Sequence, residues 1–401
     1  MTLNQSLRLL SITTALVVLP SQFASAQDAT KFGEDLKAAL TKQGLSAEWT
    51  NIEQNGSQLV LKGVSFGLPK GAAAATSQTK PIGDVTLDGV TEQAGGYKVE
   101  KVSFPTYSTT DQGITFDLSG VSLSGLEIPA AGETDPLKSL MLYDAADVGK
   151  VAFTSNGTEM FTLDNLNVKL DRGTEGAFGF TGKAEKFAAN LGAIPDPKTK
   201  QVVEALGYQN IDGFLEMAGS WQVGSGALKI SQYDLTVNDV GKLGFTFDID
   251  GYTPAFIKSV QDLQQKMAAQ PAGSDNSAQG LAMLGLMQQL KYGGMSIRFD
   301  DDSLTEKVID YIAKQQGVQP SDITNQAKAI VPFGLAQLQM PDLAKQASDA
   351  VNAYLDDPKS LEIVSRPSAP VPVAQLAGSA AGNPLDVLKQ LGLSVSANQA
   401  K

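Results

Sequence analysis

One short phrase recurs along the first half of this chain and constrains its fold more than any other feature. It is written Leu59-Val60-Leu61-Lys62-Gly63-Val64-Ser65-Phe66, Val85-Thr86-Leu87-Asp88-Gly89-Val90, and Ile114-Thr115-Phe116-Asp117-Leu118-Ser119-Gly120-Val121-Ser122-Leu123. It returns as Phe161-Thr162-Leu163-Asp164-Asn165-Leu166-Asn167-Val168. Apolar residues alternate with polar ones, so each phrase is a strand with one face to bury. The Gly or Asn near its end can adopt positive φ, which allows a bulge where the alternation slips by one residue. The copies are unevenly spaced, so this is a strand style and not a solenoid repeat. It predicts an antiparallel sheet with one apolar face and one Thr/Ser/Asp/Lys face.

Helical patterns flank and interrupt the strands. Phe32, Leu36, Ala39 and Leu40 share one helical face ahead of Gly44. Further helices are expected from Asp135-Pro136 to Ala146, over 185–191, over 197–206 closed by Gly207, and from Thr253-Pro254 to Ala269. Strands are expected over 215–222, 228–237 and 241–249, and a Met-rich helix over 281–291 precedes the strand 295–299. Ser303-Leu304-Thr305-Glu306 has the form of a capping box for a helix ending at Gly317. Helices over 321–330 and 341–355, a strand over 361–364, a Pro/Ala-rich connector, and a helix capped by Asn383-Pro384 and stopped by Gly392 complete the chain. The expected fold is α+β and β-dominated: a large curved antiparallel sheet with packed helices and a mainly helical C-terminal portion. The organisation reads as an export signal (1–26), an N-terminal helix and sheet region (27–175), continued sheet with inserted helices (176–300), and a C-terminal region with a Pro/Ala-rich tail (301–401).

Composition limits the chemistry. The 401 residues contain no histidine and no cysteine. That removes disulfides, thiol nucleophiles, thiolate metal sites and every triad built on a histidine base. Arg8, the apolar run 9–19, Pro20 and the small residues Ala24-Ser25-Ala26 have the layout of a cleavable signal. The apolar run is about half the ~20 residues needed to span a bilayer. A periplasmic location and no transmembrane segment after cleavage are therefore expected. The formal net charge is −12, one unit more acidic once Arg8 leaves. Such a balance argues against nucleic acid and against anionic lipid headgroups.

Candidate sites are few. Ser77-Gln78-Thr79-Lys80 and Ser274-Asp275-Asn276 match two motifs of penicillin-recognising enzymes. The serine is not at a helix start, however, and no Lys-Thr-Gly occurs. Asp300-Asp301-Asp302 could bind calcium or supply an acid/base pair, but carboxylates also gather at helix N-termini such as the one that follows. Asp248-Ile249-Asp250-Gly251 lacks the remaining calcium-loop ligands. Trp49 and Trp221 read as core residues. Met283, Met287 and Met295, with Leu281, Leu284 and Leu290, form a soft apolar surface able to repack around varied ligands. The three methionines Met283, Met287 and Met295, together with Phe245 and Phe247, are the candidate ligand-binding residues. No catalytic residue, cofactor or metal site is assigned.

The Leu-x-Leu-x-Gly-Val phrases at 59–66, 85–90 and 116–123 resemble the strands of AsmA-like envelope proteins. So do the strand-to-helix passage 295–304 and the Pro-rich segment leading to Asn383-Pro384-Leu385, and similar sequences occur in uncharacterised alphaproteobacterial periplasmic families. The resemblance implies a long curved sheet whose apolar face shelters acyl chains, and a role in envelope homeostasis. The leading expectation is a non-catalytic periplasmic protein that binds a hydrophobic ligand, lipid foremost, along that face. The alternative is a structural or protein-interaction component of the envelope without a small ligand. A carboxylate-based hydrolase is a third class, since Asp/Glu pairs need no histidine.

Overall fold

The computed structural model describes residues 26–67, 81–174, 176–268, 277–336 and 339–400. The expected export signal, Ser77-Gln78-Thr79-Lys80 and Ser274-Asp275-Asn276 lie outside the described residues.

The chain opens with helix α1 (Ala26–Lys42), then β1 (Ser46–Glu48), β2 (Asn51–Asn55), β3 (Gln58–Gly67), β4 (Gly83–Asp88), β5 (Thr91–Gln93) and β6 (Gly96–Ser103). It continues through β7 (Tyr107–Asp111), β8 (Ile114–Ser119), β9 (Ser122–Ile128), β10 (Ala145–Ser155), β11 (Thr158–Arg172) and β12 (Ala177–Asn190). A 3-10 turn (Leu191–Ala193) and α2 (Pro197–Leu206) lead to β13 (Asn210–Gln222), β14 (Ala227–Val237) and β15 (Gly241–Asp250). Next come α3 (Pro254–Ala268), α4 (Ser277–Met287), β16 (Lys291–Asp301), α5 (Leu304–Gln316), α6 (Pro320–Ala336) and α7 (Pro341–Asp356). The last elements are β17 (Ser360–Ser365), β18 (Val371–Pro372), α8 (Val373–Gly382), α9 (Pro384–Gln390) and β19 (Leu393–Ala397).

The strand pairings are antiparallel, and the registers define one curved, unclosed meander. It runs β2, β3, β4, β6, β9, then β10 through β17 in sequence order, and ends on β19. Short strands extend broken neighbours: β1 continues β2 along β3, and β8 continues β9 along β10. The sheet is thus the β-dominated antiparallel one expected, with β11 paired to β12 and β16 paired to both β15 and β17.

The recurring phrase works as its sequence suggests. Gly63, Gly89, Gly120 and Asn165 have φ of +60°, +64°, +68° and +52°. Leu61 and Val64 are both buried although three residues apart, and so are Leu87 and Val90. Two apolar side chains at i and i+3 reach one face only because the left-handed residue between them slips the register.

The same device explains one misreading. The segment 185–191 is not a helix: β12 continues to Asn190, with a bulge between Ala184 and Phe187. Their helix-like spacing puts both on one sheet face. Nor does Asp135-Pro136 start a helix. Asp135 accepts the amides of Leu137 and Lys138 in a turn, and the chain enters β10 at Ala145. The Met-rich helix ends at Met287, four residues early, and the Pro/Ala-rich connector contains α8. Ser303 starts α5 but caps nothing with its side chain, which donates to Asp239 O; Asp301 accepts the Thr305 amide instead.

The densest core lies under α1. Phe32, Leu36 and Ala39 pack on Leu59, Leu61, Val64, Leu87, Val99 and Val102, with Phe32 edge-on to Tyr97. At the other end of the sheet α7 places Ala350 and Tyr354 on Phe299, Leu361, Val395 and Ala397.

Candidate functional site

Cross-strand registers sort the side chains of β10–β19 onto two faces. One carries rows of apolar residues: Leu215, Leu235, Leu243, Phe299 and Leu361; then Phe245, Ile297, Ile363 and Val395; then Phe247, Met295 and Leu393. To the N-terminal side the face continues through Phe180, Leu166, Val168, Leu163, Val151 and the aromatic run Phe161, Phe153, Phe116. The register carries it on to Leu123 and Val102, in the core beneath α1. Both α1 and α7 therefore sit on this one apolar side, at opposite ends of the sheet.

The opposite face is ionic. Lys183 pairs with Glu216 at 3.2 Å, and Lys242 with Asp300 at 3.5 Å. Arg298, buried, meets Asp300 at 2.7 Å and Glu362 at 3.6 Å. The Asp300 hydrogen bond raises the Arg298 guanidinium above its ordinary value against the opposing effect of burial. Burial pushes the Asp300 carboxyl up, but Arg298 and Lys242 together hold it below the usual range. Asp300 and Asp301 are thus committed to an ion-pair network and a helix cap. Among the described residues no group of three or more His, Cys, Asp or Glu could hold a metal ion.

Between α1 and α7 parts of the apolar face stay accessible, although Ala184 and Phe187 of β12 are buried. Phe153, Tyr233, Leu243, Ile297 and Ile363 are 40, 41, 47, 41 and 47% exposed, and all five lie on that face. Four of them, Tyr233, Leu243, Ile297 and Ile363, lie on the neighbouring strands β14 to β17. Phe153 stands apart on β10, beyond the buried Ala184 and Phe187 of β12. Contiguous exposure such as that over β14–β17 marks a surface with something to bind. At ~4.8 Å per strand, the eight strands β10–β17 extend on the order of 34 Å along the curved sheet, whose concave run is the trough.

Its lower end, where β12 begins and β13 and β15 finish, is closed by aromatic rings. Phe178 stacks on Trp221 at 5.8 Å, Trp221 meets Tyr252 at 6.3 Å, and Tyr252 meets Phe256 of α3 at 5.8 Å. Trp221 Nε1 donates to Tyr252 O at 2.7 Å. The β9–β10 connection reaches the same place: Phe178 shares a cavity of about 330 Å³ with Leu137, Leu140 and Leu142. Pro254 and Ile257 of α3 border a second cavity, of about 250 Å³, with Lys42, Gln43 and Ser139. Strands β10 and β15 stand five spacings, ~24 Å, apart along the sheet. Only strong curvature brings their lower connections together in this way.

A larger space, about 720 Å³, opens between α1 and β2. Its walls include Thr30, Glu34, Lys37, Asn51 and Gln54, and Lys37 lies over the Trp49 ring at 4.6 Å. A lysine already occupies the aromatic platform there, so the trough is the stronger candidate.

Of the residues singled out in sequence, Phe245, Phe247 and Met295 come together on the apolar face, with Phe247 opposite Met295 and 6.3 Å from Phe245 ring to ring. Met283 and Met287 are half-buried on α4, which packs against α3 and α8 in the β15–β16 connection and not in the strand rows. On α4 it is Leu281 and Leu284 that face outward, at 71 and 50% exposure. Sequence reasoning missed Phe153, Tyr233, Leu243, Ile297 and Ile363. The signal was present, since each sits in an alternating strand, but alternation does not say which rows a helix covers. Trp221, read as core, is held in the ring cluster at the trough's closed end.

A protein family described only as "Uncharacterized protein" matches residues 234–398, from β14 to the end of β19. No curated protein matches the chain. No described helix is long and apolar enough to cross a membrane.

Proposed function

We propose that this chain is a non-catalytic periplasmic protein that holds a hydrophobic ligand, an acyl lipid, against the apolar face of its sheet. The observation that carries the proposal is the contiguous exposure of Tyr233, Leu243, Ile297 and Ile363 on one face of the neighbouring strands β14–β17. The backs of the same strands carry ion pairs. The stretch of β15 from Leu243 to Ile249, ~20 Å long, accommodates an acyl chain, since one leaflet of a bilayer's ~30 Å hydrocarbon core is ~15 Å deep. Phe and Met linings suit chains of varied shape. The signal-like residues 8–26 support the periplasmic location, and the likeness of the strand phrases to AsmA-like proteins supports a role in envelope lipid handling.

Native mass spectrometry of the mature protein, with organic extraction, tests this. Wild type is expected to carry a discrete acyl-lipid mass. Ile363→Glu puts a charge into the trough at a half-exposed position and should empty it with little change in unfolding midpoint. A wild-type protein that is free of lipid and takes none up from vesicles of envelope lipids refutes the reading. That outcome would favour the alternative, an envelope component that docks another protein, for which Leu281 and Phe333, exposed at 71 and 76% on α4 and α6, offer contact points.

A further inference from the structure

We infer that the cluster Phe178, Trp221, Tyr252 and Phe256 is the floor of the trough, and that Trp221 sets the length of a single acyl chain that enters tail first and lies along the strands. The inference rests on the acyl-lipid reading above and adds to it the chain's direction and the residue that measures it.

Three observations carry it. The first is the fall in exposure down β15. Leu243 is 47% exposed, Phe245, Phe247 and Ile249 are half-buried, and at the lower end Phe178 is 9% and Phe256 7% exposed. An apolar chain can therefore enter from above and cannot pass below. From Leu243 to Ile249 the strand rises ~20 Å, enough for one long acyl chain and little more.

The second is that Trp221 is held rigidly in the row Phe178, Trp221, Leu228, Ile249. Its indole is stacked on one side, met edge-on at the other, and tied by the Nε1 bond to the Tyr252 carbonyl. Above it the central strands carry Gly219, Gly182 and Gly213, and their neighbours lie down over them. A β-carbon at Gly219 would stand 2.2 Å from Phe180 Cζ, and one at Gly182 would stand 2.6 Å from Met217 Cγ. Flat side chains over glycines make a shallow bed that runs up to the indole and stops there.

The third is the chemistry of the floor. Four aromatic rings form it, and the indole N–H is already given to the Tyr252 carbonyl. Arg172, opposite Phe178 in the β11–β12 register, is bound by Glu127 at 2.6 Å and Asp144 at 3.1 Å. A polar headgroup driven against these rings would lose its water without gaining a partner. The tail is the end that fits.

The test is binding of saturated fatty acids of increasing length to the mature full chain and to Trp221→Ala. In wild type each added methylene should tighten binding about fourfold until a length limit is reached, beyond which affinity stops rising or falls. Removing the indole should move that limit about two or more methylenes longer and leave the short-chain affinities unchanged. If wild type binds and the limit does not move in Trp221→Ala, the role of Trp221 is overturned and lipid carriage stands. If wild type binds no chain of any length, the underlying reading fails and takes this inference with it.

A second measurement removes the dependence on a variant folding with its floor removed. Trp49→Phe leaves Trp221 as the only tryptophan. Its fluorescence should be quenched several-fold more by a fatty acid brominated near the terminal methyl than by one brominated near the carboxylate. The opposite order, or equal quenching, overturns the tail-first orientation.

Discussion

Gly63→Ala isolates the left-handed residue that the strand phrase depends on. Gly63 has φ of +60°, and a β-carbon placed there would meet only Thr50 Oγ1 at 3.4 Å and Thr50 Cγ2 at 3.6 Å, which is ordinary contact. The cost is therefore conformational and not steric: roughly 1–2 kcal/mol for an L-residue in the left-handed region. The gain from a stiffer unfolded chain, about 0.4–1 kcal/mol, applies fully only where the native φ suits alanine, so a net loss of about 1 kcal/mol remains. Gly63→Asn should cost less, because Asn tolerates this region and Asn165 holds the equivalent place in another copy at φ +52°. Gly120→Ala should cost more, because its β-carbon would stand 2.9 Å from the Gly149 backbone. Urea unfolding followed by circular dichroism reads all three. Gly63→Ala should lower the midpoint by about 0.3–1 M, given slopes of about 1–3 kcal/mol/M. Equal midpoints for wild type, Gly63→Ala and Gly63→Asn would refute the slip as the reason Leu61 and Val64 share a face.

Two further outcomes are expected. Arg298→Met leaves Glu362 without its partner and Asp300 with Lys242 alone on the ionic face and should destabilise the fold by about 1–3 kcal/mol, measured by the same unfolding curves. Burial raises the phenols of Tyr292 and Tyr354 above their ordinary value, although hydrogen bonds with Ser365 and Thr305 oppose it. Their contribution to stability is complete below the unfolded phenol pKa of about 10 and is lost as pH rises through the higher folded values. Unfolding midpoints should hold steady up to about pH 10 and then drop, together with a late rise in phenolate absorbance; a phenolate rise without loss of stability would contradict the burial.

Much of the sheet is legible in the sequence because its signals are local. Alternation marks the strands, and Gly63, Gly89, Gly120 and Asn165 mark the slips. The failures have the same physical root. A bulge at Ala184 and Phe187 imitates helical spacing, and Asp135-Pro136 serves a turn as well as a helix start. Ser303 looks like a cap because Glu306 follows it, yet Tyr208 and Asp239, brought close by the fold, claim its hydroxyl. The strand β19 hides in what reads as a tail, because Leu393, Val395 and Ala397 form too short an alternation to stand out until β17 pairs with it.

The trough shows where sequence reading must stop. Leu59 and Leu243 occupy equivalent places in alternating strands, yet Leu59 is 1% exposed and Leu243 47%. Nothing near either residue in the chain accounts for the difference. Leu59 lies in the core beneath α1, whereas the aligned rows around Leu243 reach a helical cover only at Phe299 and Leu361, under α7. Among the described residues, an apolar face built by the same local rules throughout has helices on it at its two ends and stays exposed over β14–β17. Such a face is either a defect or a place kept for something else. A defect of this size would invite face-to-face aggregation through Ile297 and Ile363, and the repulsion between chains of net charge −12 resists only the first encounters. On the proposed reading a bound acyl chain removes the hazard and uses the face, so occupancy of the trough, more than the effect of any single side chain, is what tests that reading.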